Sequence, residues 1–204
     1  MKVLILGATG TFGTALTKTL MEKAGYELTL FARHAADHCT PAKNRKVVNG
    51  DAVQIEELRK VVQGQDVVFC AISGEQLPLI TQNLITVMEE EKVERLLWMG
   101  AVGIYNEIPE EMDGEDNLDH EPAQIPNRKG ADLVEASSLN YTVLRPGYLR
   151  EGAADDFVLS LKGEAAKGYI STIPSVVQFA VSLMEDASFY TRQNVSITKN
   201  MEKN

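Results

Sequence analysis

The chain has 204 residues, of which 44 % are apolar and 24 % charged, a composition typical of one soluble globular domain. Its formal net charge of -9 argues against a nucleic-acid backbone or an anionic membrane as a main partner. No apolar run approaches the roughly 20 residues that cross a bilayer, and the first run is too short for a secretory signal because it ends at Gly7. We therefore expect a cytoplasmic protein.

Short apolar runs alternate with helical patterns from residue 1 to about 145, which is typical of βαβ units and a parallel sheet. The runs predict strands over residues 3–6, 26–32, 46–48, 66–72, 95–99 and 141–144. Apolar residues at helical spacing predict helices after the first strand up to Gly25, and over residues 55–62, 77–91 and 128–137. We expect an α/β protein with a Rossmann-type, doubly wound parallel sheet.

The pattern changes after Gly147, with a weak strand at 157–161, helical periodicity over 175–184 and a last strand at 194–198. No linker precedes this segment, so we expect one domain in which residues from about 147 to 204 pack over the carboxyl edge of the sheet as a substrate-side cap. Between the fifth strand and the next helix, eight of the fifteen residues 107–121 are acidic. A loop of this length predicts a solvated lid. Its acidic stretch 113–117 lacks the twelve-residue pattern of a calcium loop.

A glycine-rich turn directly follows the first apolar run and opens a helical pattern. It reads Gly7-Ala8-Thr9-Gly10-Thr11-Phe12-Gly13. Gly7 permits a sharp turn, Gly10 permits a pyrophosphate to approach the backbone, and Gly13 permits close packing of helix on sheet. The helix start then offers N–H groups to the phosphates. Strand, turn and helix in this order predict a dinucleotide site containing Gly7, Thr9, Gly10, Thr11, Phe12 and Gly13.

The end of the second strand bears on the choice of cofactor. NAD-preferring sites usually carry an acidic residue there, which bonds the ribose 2′-hydroxyl. This chain has Arg33 instead, a permanently charged fork suited to a 2′-phosphate. The sequence therefore favours NADP(H). NAD(H) stays possible, because Arg33 can also lie flat on the adenine without discriminating and because Asp37 follows closely.

With these motifs, the chain resembles the atypical short-chain dehydrogenase/reductases, including NmrA-like proteins and the biliverdin-IXβ and flavin reductases. The matching motifs are Gly7-x-x-Gly10-x-x-Gly13, Gly50-Asp51, Asp66-Val67-Val68-Phe69 leading to Ser73-Gly74, and Asn140-Tyr141-Thr142-Val143-Leu144-Arg145-Pro146-Gly147. The resemblance implies that Asp51 bonds the adenine amino group. It also implies that Ala71, Ile72, Ser73 and Gly74 border the adenosine ribose, and that Pro146, Gly147 and Tyr148 lie against the nicotinamide.

One departure from the wider superfamily limits the chemistry. Active members use a Tyr-x-x-x-Lys pair to move a proton. The corresponding positions here are Ala123 and Asn127, and Lys129 is two residues away from the expected place. The serine usual after the fifth strand is also missing from residues 99–103. Alcohol or ketone chemistry through this relay is therefore disfavoured.

Hydride transfer to a flavin, quinone or bilin needs no such relay, because the proton comes from solvent. Tyr105 and Tyr148 follow the fifth and sixth strands, at the edge where ligands bind in open α/β sheets. Either can supply a stacking face, or simply pack its loop onto the domain. We expect an NAD(P)H-dependent oxidoreductase acting on a flavin- or quinone-type acceptor. The alternative is a catalytically silent NADP(H) sensor of NmrA-like type, and a sugar-nucleotide epimerase or dehydratase is disfavoured by the short tail and the missing tyrosine.

The remaining polar and thiol residues suggest no further chemistry. His34, His38 and Cys39 have spacing compatible with metal ligation, but a solvated loop is the better interpretation, and no metal is expected. The two cysteines, Cys39 and Cys70, are expected to be reduced thiols, with Cys70 inside a strand. As partners we expect a small-molecule acceptor and no nucleic acid or membrane, with the protein a monomer or homodimer.

Overall fold

The computed structural model describes residues 1–112, 114–154 and 156–199. Within them the strands are β1 (Lys2–Leu6), β2 (Glu27–Ala32), β3 (Arg45–Asn49), β4 (Val67–Cys70), β5 (Arg95–Met99), β6 (Asn140–Pro146), β7 (Tyr148–Arg150), β8 (Phe157–Leu161), β9 (Ile170–Thr172) and β10 (Gln193–Lys199). The α-helices are α1 (Thr11–Met21), α2 (Ala35–His38), α3 (Ile55–Val62), α4 (Leu77–Glu91), α5 (Ile125–Ala136) and α6 (Ile173–Glu185). Short 3-10 turns occupy Glu110–Met112, Gly114–Asp116 and Pro122–Gln124.

Eight strands of the described chain form one sheet in the order β3-β2-β1-β4-β5-β6-β10-β8. Its neighbouring strands run parallel, except that β8 pairs antiparallel with β10. The chain winds outward from β1 to β3 and then crosses back to β4 on the other side of β1. The connections therefore diverge between β1 and β4, which is where open α/β sheets bind ligands. This topology confirms the expected Rossmann-type, doubly wound fold.

Both faces of the central strands are buried, which explains their continuous apolar runs. Along β1, Val3 and Ile5 pack with α1 and α6, whereas Leu4 and Leu6 pack with α3, α4 and α5. The single tryptophan, Trp98 on β5, is fully buried on the face of the sheet that α3, α4 and α5 cover. Its indole N–H donates to Thr81 Oγ1 at 3.1 Å. With helices packed on both faces of the sheet, the glycine turn lies at the carboxyl end of β1.

The segment after β6 differs from the expected cap. Most of it extends the sheet through β10 and β8, and α6 covers the sheet face beside α1. Only β7 and β9 form a separate parallel pair at the carboxyl end of β6. The apolar residues explain the difference: Val195 and Ile197 of β10 and Val176 and Ala180 of α6 are all buried in the α1 layer.

The acidic segment 107–121 also differs from a solvated lid. The Glu107 carboxylate is buried and forms an ion pair with Arg145 of β6. The Asn117 side chain accepts the Ile108 N–H at 3.0 Å and donates to the Ile108 carbonyl at 2.8 Å. Desolvation lowers the pKa of Arg145 to about 10. The ion pair joins the segment to β6, and the two Asn117 bonds close the segment on itself. Residue 113 of the predicted acidic stretch lies outside the described residues.

The other differences concern short elements and helix ends. α5 begins at Ile125, three residues before the predicted start at Arg128, and α2, β7 and β9 were not expected from the sequence. None of the helices in the described part of the chain combines the length and apolar character that a membrane crossing requires.

Candidate dinucleotide site

Close backbone contacts explain two glycines of the turn after β1. Gly7 has a φ of +78°, and a Cβ added there would lie 2.6 Å from the carbonyl oxygen of Ala71. A Cβ on Gly13 would overlap the Gly7 carbonyl oxygen and lie 2.7 Å from the Ala8 Cα. Neither position accommodates a side chain without moving backbone. Together they bring α1 directly against the end of β1.

The middle glycine has a different surrounding. Gly10 is the N-cap residue of α1, and the nearest atom to an added Cβ would be the Gly7 carbonyl oxygen at 3.3 Å. No side chain caps this helix, and no acidic residue lies in its first turn, which contains Thr11, Phe12 and Gly13. The first N–H groups of a helix have no partner within the helix and carry a partial positive charge. The start of α1 is therefore suited to bind a pyrophosphate.

An open cleft of about 560 Å³ begins at this turn and extends toward β3. Turns after four adjacent strands line it, in agreement with ligand binding at a topological switch point. The predicted residues that line it are Gly7, Thr9, Gly10, Arg33, Asp51, Ala71, Ile72, Ser73 and Gly74. Lining residues that the sequence did not single out for this site are Phe31, Ala32, His34, His38, Gly50, Ala52, Glu75, Gln76 and Ile80.

Asp51 is fixed in the cleft wall by its neighbours. Its Oδ1 accepts the Val53 N–H at 3.1 Å, and its own N–H donates to Glu57 Oε2 at 2.7 Å. The preceding Gly50 donates its N–H to the Ala32 carbonyl at 3.1 Å, which ties this turn to the end of β2. A carboxylate held in this way can accept from an exocyclic amino group in the cleft.

Pro146 and Gly147 lie at the carboxyl end of β6, outside the residues that line the cleft. The Gly147 N–H donates to Ser171 Oγ at 2.8 Å, and the Tyr148 N–H donates to the Tyr169 carbonyl at 2.7 Å. Because the cleft runs from α1 toward β3, the second half of an extended dinucleotide would run the other way, over β4, β5 and β6. We therefore expect the end of β6 to lie on the nicotinamide side.

Tyr148 presents an exposed aromatic ring in this region. Tyr148 is the first residue of β7, which pairs with β9, and it is 52 % exposed. Its ring stacks on Tyr169, with centroids 6.0 Å apart, and the Arg150 guanidinium lies 5.2 Å from its centroid. The Tyr169 hydroxyl donates to Asp116 of the acidic segment, which holds the stacked pair in place.

Tyr105 is placed differently. Its hydroxyl donates to Glu135 Oε2 at 3.3 Å and accepts from Asn194 Nδ2 at 2.9 Å. Lys162 Nζ and the Arg128 guanidinium lie 4.4 and 4.5 Å from its ring centroid. Burial raises the pKa of this phenol. The structure thus holds Tyr105 against α5 and β10, whereas Tyr148 lies beside β9.

The positions of the usual proton relay contain no tyrosine or lysine. Ala123 lies in the 3-10 turn before α5, and Asn127 in the first turn of α5 donates its side-chain amide to Gln124 Oε1 at 2.9 Å. Lys129 is exposed on α5. The positions of the usual relay therefore supply no phenol and lysine pair to move a proton.

The cysteines and histidines form no metal cluster among the described residues, where no group of three or more potential ligands occurs. Both thiols are free. Burial raises the pKa of Cys70 to about 12, so this thiol stays protonated at neutral pH.

A second cavity, of about 450 Å³, lies at the opposite edge of the sheet. Residues just before β5, β6 and β10 line it, among them Glu94, Leu139 and Arg192. Open α/β sheets bind their ligands at the carboxyl ends of the strands, and this cavity is at the amino ends. The cleft at the glycine turn is therefore the candidate functional site.

Fold and site together define a Rossmann-type domain that binds a nicotinamide dinucleotide. A family model described as NAD(P)H-binding matches residues 7–187, and the chain belongs to this family. The NAD(P)-binding fold that the resemblance to the atypical short-chain dehydrogenase/reductases implies is confirmed. A comparison with the curated proteins finds no matching sequence.

Solved structures agree with this assignment. A Rossmann-fold NAD(P)-binding family protein from Shigella flexneri is 29 % identical, with a TM-score of 0.85 over 98 % of this chain and 94 % of that one. A short-chain dehydrogenase/reductase from Veillonella parvula, crystallised with NADP, is 20 % identical with a TM-score of 0.89 over 98 % and 95 %. ChuY, an anaerobillin reductase from Escherichia coli O157:H7, is 18 % identical with a TM-score of 0.81 over all of both chains. The last two likenesses concern the fold.

Proposed function

We propose that the protein is an NAD(P)H-dependent reductase that passes hydride directly to a planar acceptor of flavin, quinone or similar type. The observation that carries the proposal is the pairing of an open dinucleotide cleft with an exposed aromatic ring, Tyr148, on the nicotinamide side. The absence of a tyrosine and lysine at the positions of Ala123 and Asn127 favours an acceptor whose proton comes from solvent. The anaerobillin reductase activity of ChuY is compatible with this class of acceptor.

Each part of the chain has a separate task in this proposal. The first turn of α1 binds the pyrophosphate, Asp51 accepts from the adenine amino group, and residues 71–74 border the ribose. The reduced nicotinamide, when bound, supplies a hydride. Tyr148 stacks on the acceptor and holds its plane against the nicotinamide, which raises the rate through proximity and orientation.

Arg33 supports a preference for NADP(H) over NAD(H). The residue is exposed, lines the cleft and stands where NAD-preferring sites have an acidic residue. The NADP in the Veillonella parvula structure is consistent with this choice.

Steady-state oxidation of NADPH, followed at 340 nm with FMN, riboflavin, menadione and dichlorophenolindophenol, tests the proposal. We expect turnover well above background with at least one acceptor. We expect Tyr148→Ala to lower kcat/KM about tenfold or more and Tyr148→Phe to retain most of it, because stacking needs only the ring. Tyr105→Ala is the matched control: it removes a ring held against α5 and β10, and the folded variant should keep the turnover of the unmodified protein.

The alternative is a sensor that binds NADP(H) without turnover. The missing tyrosine and lysine favour it as much as they favour direct transfer. Tight binding of NADPH by calorimetry, together with background rates for every acceptor of the panel, would contradict the reductase and support the sensor.

A further inference from the structure

The side of the molecule on which we expect the nicotinamide carries a cation that the proposed function does not use. Arg150 is exposed, and its guanidinium lies 5.2 Å from the centroid of the Tyr148 ring. We propose that Arg150 binds an acidic substituent of the acceptor, so that the substrates of this protein are planar molecules carrying a phosphate or carboxylate group. The inference rests on the proposed function, since it concerns the same acceptor.

The short strand β7 presents Arg150 and Tyr148 together. The two residues are two positions apart, and alternate residues of a strand point to the same face. Both are exposed, whereas Leu149 between them is half-buried. Parallel pairing with β9 holds the strand in place. A planar molecule stacked on the Tyr148 ring would therefore have its substituents within reach of the guanidinium.

The guanidinium of Arg150 has no carboxylate partner among the described residues, although Glu151 follows it in the chain. Partners are plentiful, because the chain has 29 acidic residues against 20 lysines and arginines. Another surface arginine, Arg128, pairs with Asp132 at 2.8 Å. An unpaired guanidinium in an acidic protein keeps its donors available, and its planar fork suits a phosphate or a carboxylate.

A second arginine shows that contact with an aromatic ring is not by itself the signal. The Arg192 guanidinium lies 5.3 Å from the centroid of the Tyr141 ring, but that tyrosine is buried. Arg192 also donates to the Leu139 carbonyl at 3.1 Å, so it covers a ring that no ligand can reach. Arg150 instead lies beside an exposed ring, where a ligand can contact ring and cation at once.

The charges around the stacked tyrosines predict how the acceptor lies. Asp116 accepts from the Tyr169 hydroxyl, so a carboxylate lies beside one ring of the pair and Arg150 beside the other. The formal net charge of -9 opposes the approach of anions in general. An acidic substituent is therefore favoured on the Arg150 side, and we expect it to point away from Asp116.

The experiment compares ligands that differ only in the acidic group. FMN and riboflavin differ in the 5′-phosphate, which is mainly a dianion at about pH 7.5, and the fluorescence of both reports binding without turnover. The protein is first saturated with NADP+, so that the flavin phosphate cannot occupy the start of α1. We expect FMN to bind about fivefold or more tightly than riboflavin. Anthraquinone-2-carboxylate and anthraquinone-2-methanol make the same comparison for a carboxylate, by calorimetry.

Variants of Arg150 separate its charge from its packing. Arg150→Gln should remove the preference for the acidic ligand, Arg150→Glu should reverse it, and Arg150→Lys should retain part of it because the charge remains. Arg192→Gln is the matched control, since it removes the same charge from another guanidinium beside a tyrosine, and it should keep the full preference. Higher ionic strength should weaken the binding of FMN and leave that of riboflavin nearly unchanged.

Two results would overturn the inference: equal affinities within both pairs of ligands, or a preference for the acidic ligand that survives in Arg150→Gln. Neither result bears on the proposed function, which the reduction of the bound acceptor tests separately. A ligand that binds with the expected preference but is not reduced by NADPH would contradict the reductase and support the anion site at Arg150. A protein that binds none of the four ligands would overturn both.

Discussion

At the scale of single residues, the proposed choice between the two nicotinamide cofactors depends on Arg33, the first residue after β2. Arg33 faces the cleft from the position that an acidic residue occupies in NAD-preferring sites. A carboxylate there accepts from the 2′-hydroxyl and repels a 2′-phosphate, whereas a guanidinium attracts the phosphate. We therefore expect this one side chain to account for a large part of the proposed discrimination.

Replacing this charge tests the argument. We expect Arg33→Asp to weaken NADPH binding about tenfold or more and to change NADH binding by less than about threefold, measured by calorimetry at fixed ionic strength. Lys18→Asp makes the same charge change on an exposed residue of α1 that does not line the cleft, and it should affect both cofactors little. Equal losses for NADPH and NADH in Arg33→Asp would contradict the role of the charge.

At the scale of elements, the position of α1 against β1 determines whether a phosphate can reach the helix start. Gly7 and Gly13 are needed for the packing itself, because an added Cβ would collide with backbone. Gly10 is different, because an added Cβ would meet only the Gly7 carbonyl oxygen, at 3.3 Å. Folding and cofactor binding can therefore be separated at this position.

The variant Gly10→Ala makes that separation. We expect it to fold, with a stability loss of about 1 kcal/mol or less because alanine is a weaker N-cap than glycine. We expect NADPH to bind at least about tenfold more weakly, because the methyl group occupies the path of the pyrophosphate. Thermal unfolding and calorimetry measure the two effects. The contrasting variant Gly130→Ala places a methyl group against the Trp98 ring, so it should lower the melting temperature. Unchanged NADPH affinity in Gly10→Ala would argue against the proposed phosphate site.

The sequence predicts the long elements and misses the short ones. β1, β4 and β5 were recognisable because each contains four consecutive apolar residues, as expected for strands buried on both faces. β7, β9 and α2 have three or four residues each, too few for a hydrophobic period, and tertiary contacts stabilise them. The acidic segment was misjudged because its composition does not reveal the buried pair of Glu107 with Arg145.

The same limit applies to the site. Glycine spacing and the position of Arg33 identified the cleft, since both follow from the order of strand, turn and helix. His34 and His38 were weighed as metal ligands and assigned to a solvated loop, because their sequence spacing does not reveal that they line the cleft. Tyr105 and Tyr148 were indistinguishable by sequence because each follows a strand. Their different surroundings arise from contacts distant in sequence, with Asn194 and with Tyr169.

At the scale of the whole molecule, the two apolar layers combine strands from both ends of the chain. β10 lies in the sheet beside β6, and α6 packs on α1, so the last third of the chain buries the first helix. We expect this arrangement to unfold cooperatively, exposing Cys70, which is fully buried in the layer of α3, α4 and α5.

The two thiols should report this unfolding. Desolvation raises the pKa of Cys70 to about 12 in the folded protein, against about 8.5 in an unfolded chain. At pH 8 we expect iodoacetamide to modify only Cys39 in the native protein and both thiols after denaturation, as peptide mass analysis would show. Rapid modification of Cys70 in the native state would contradict its burial.

The same pKa difference has a defined sign for stability. Above pH 8.5 the unfolded chain releases the thiol proton and the folded protein retains it, so the unfolded state gains stability as the pH rises. Denaturant titrations should show this loss, about 1–2 kcal/mol by pH 10, in the unmodified protein and in Cys39→Ser. In Cys70→Ala the stability loss over the same pH interval should be smaller by this amount.

The buried position of Trp98 also makes its intrinsic fluorescence a probe of folding and of cofactor binding. It is the only indole in the chain, and it is shielded from water on β5, so its emission has one source and should shift to longer wavelengths when the core opens. A domain of this length has a radius of gyration of about 17 Å, which leaves the indole and a bound dihydronicotinamide near enough for resonance energy transfer. Quenching of the indole, with sensitised emission from the reduced coenzyme, would then register occupancy of the cleft without any label.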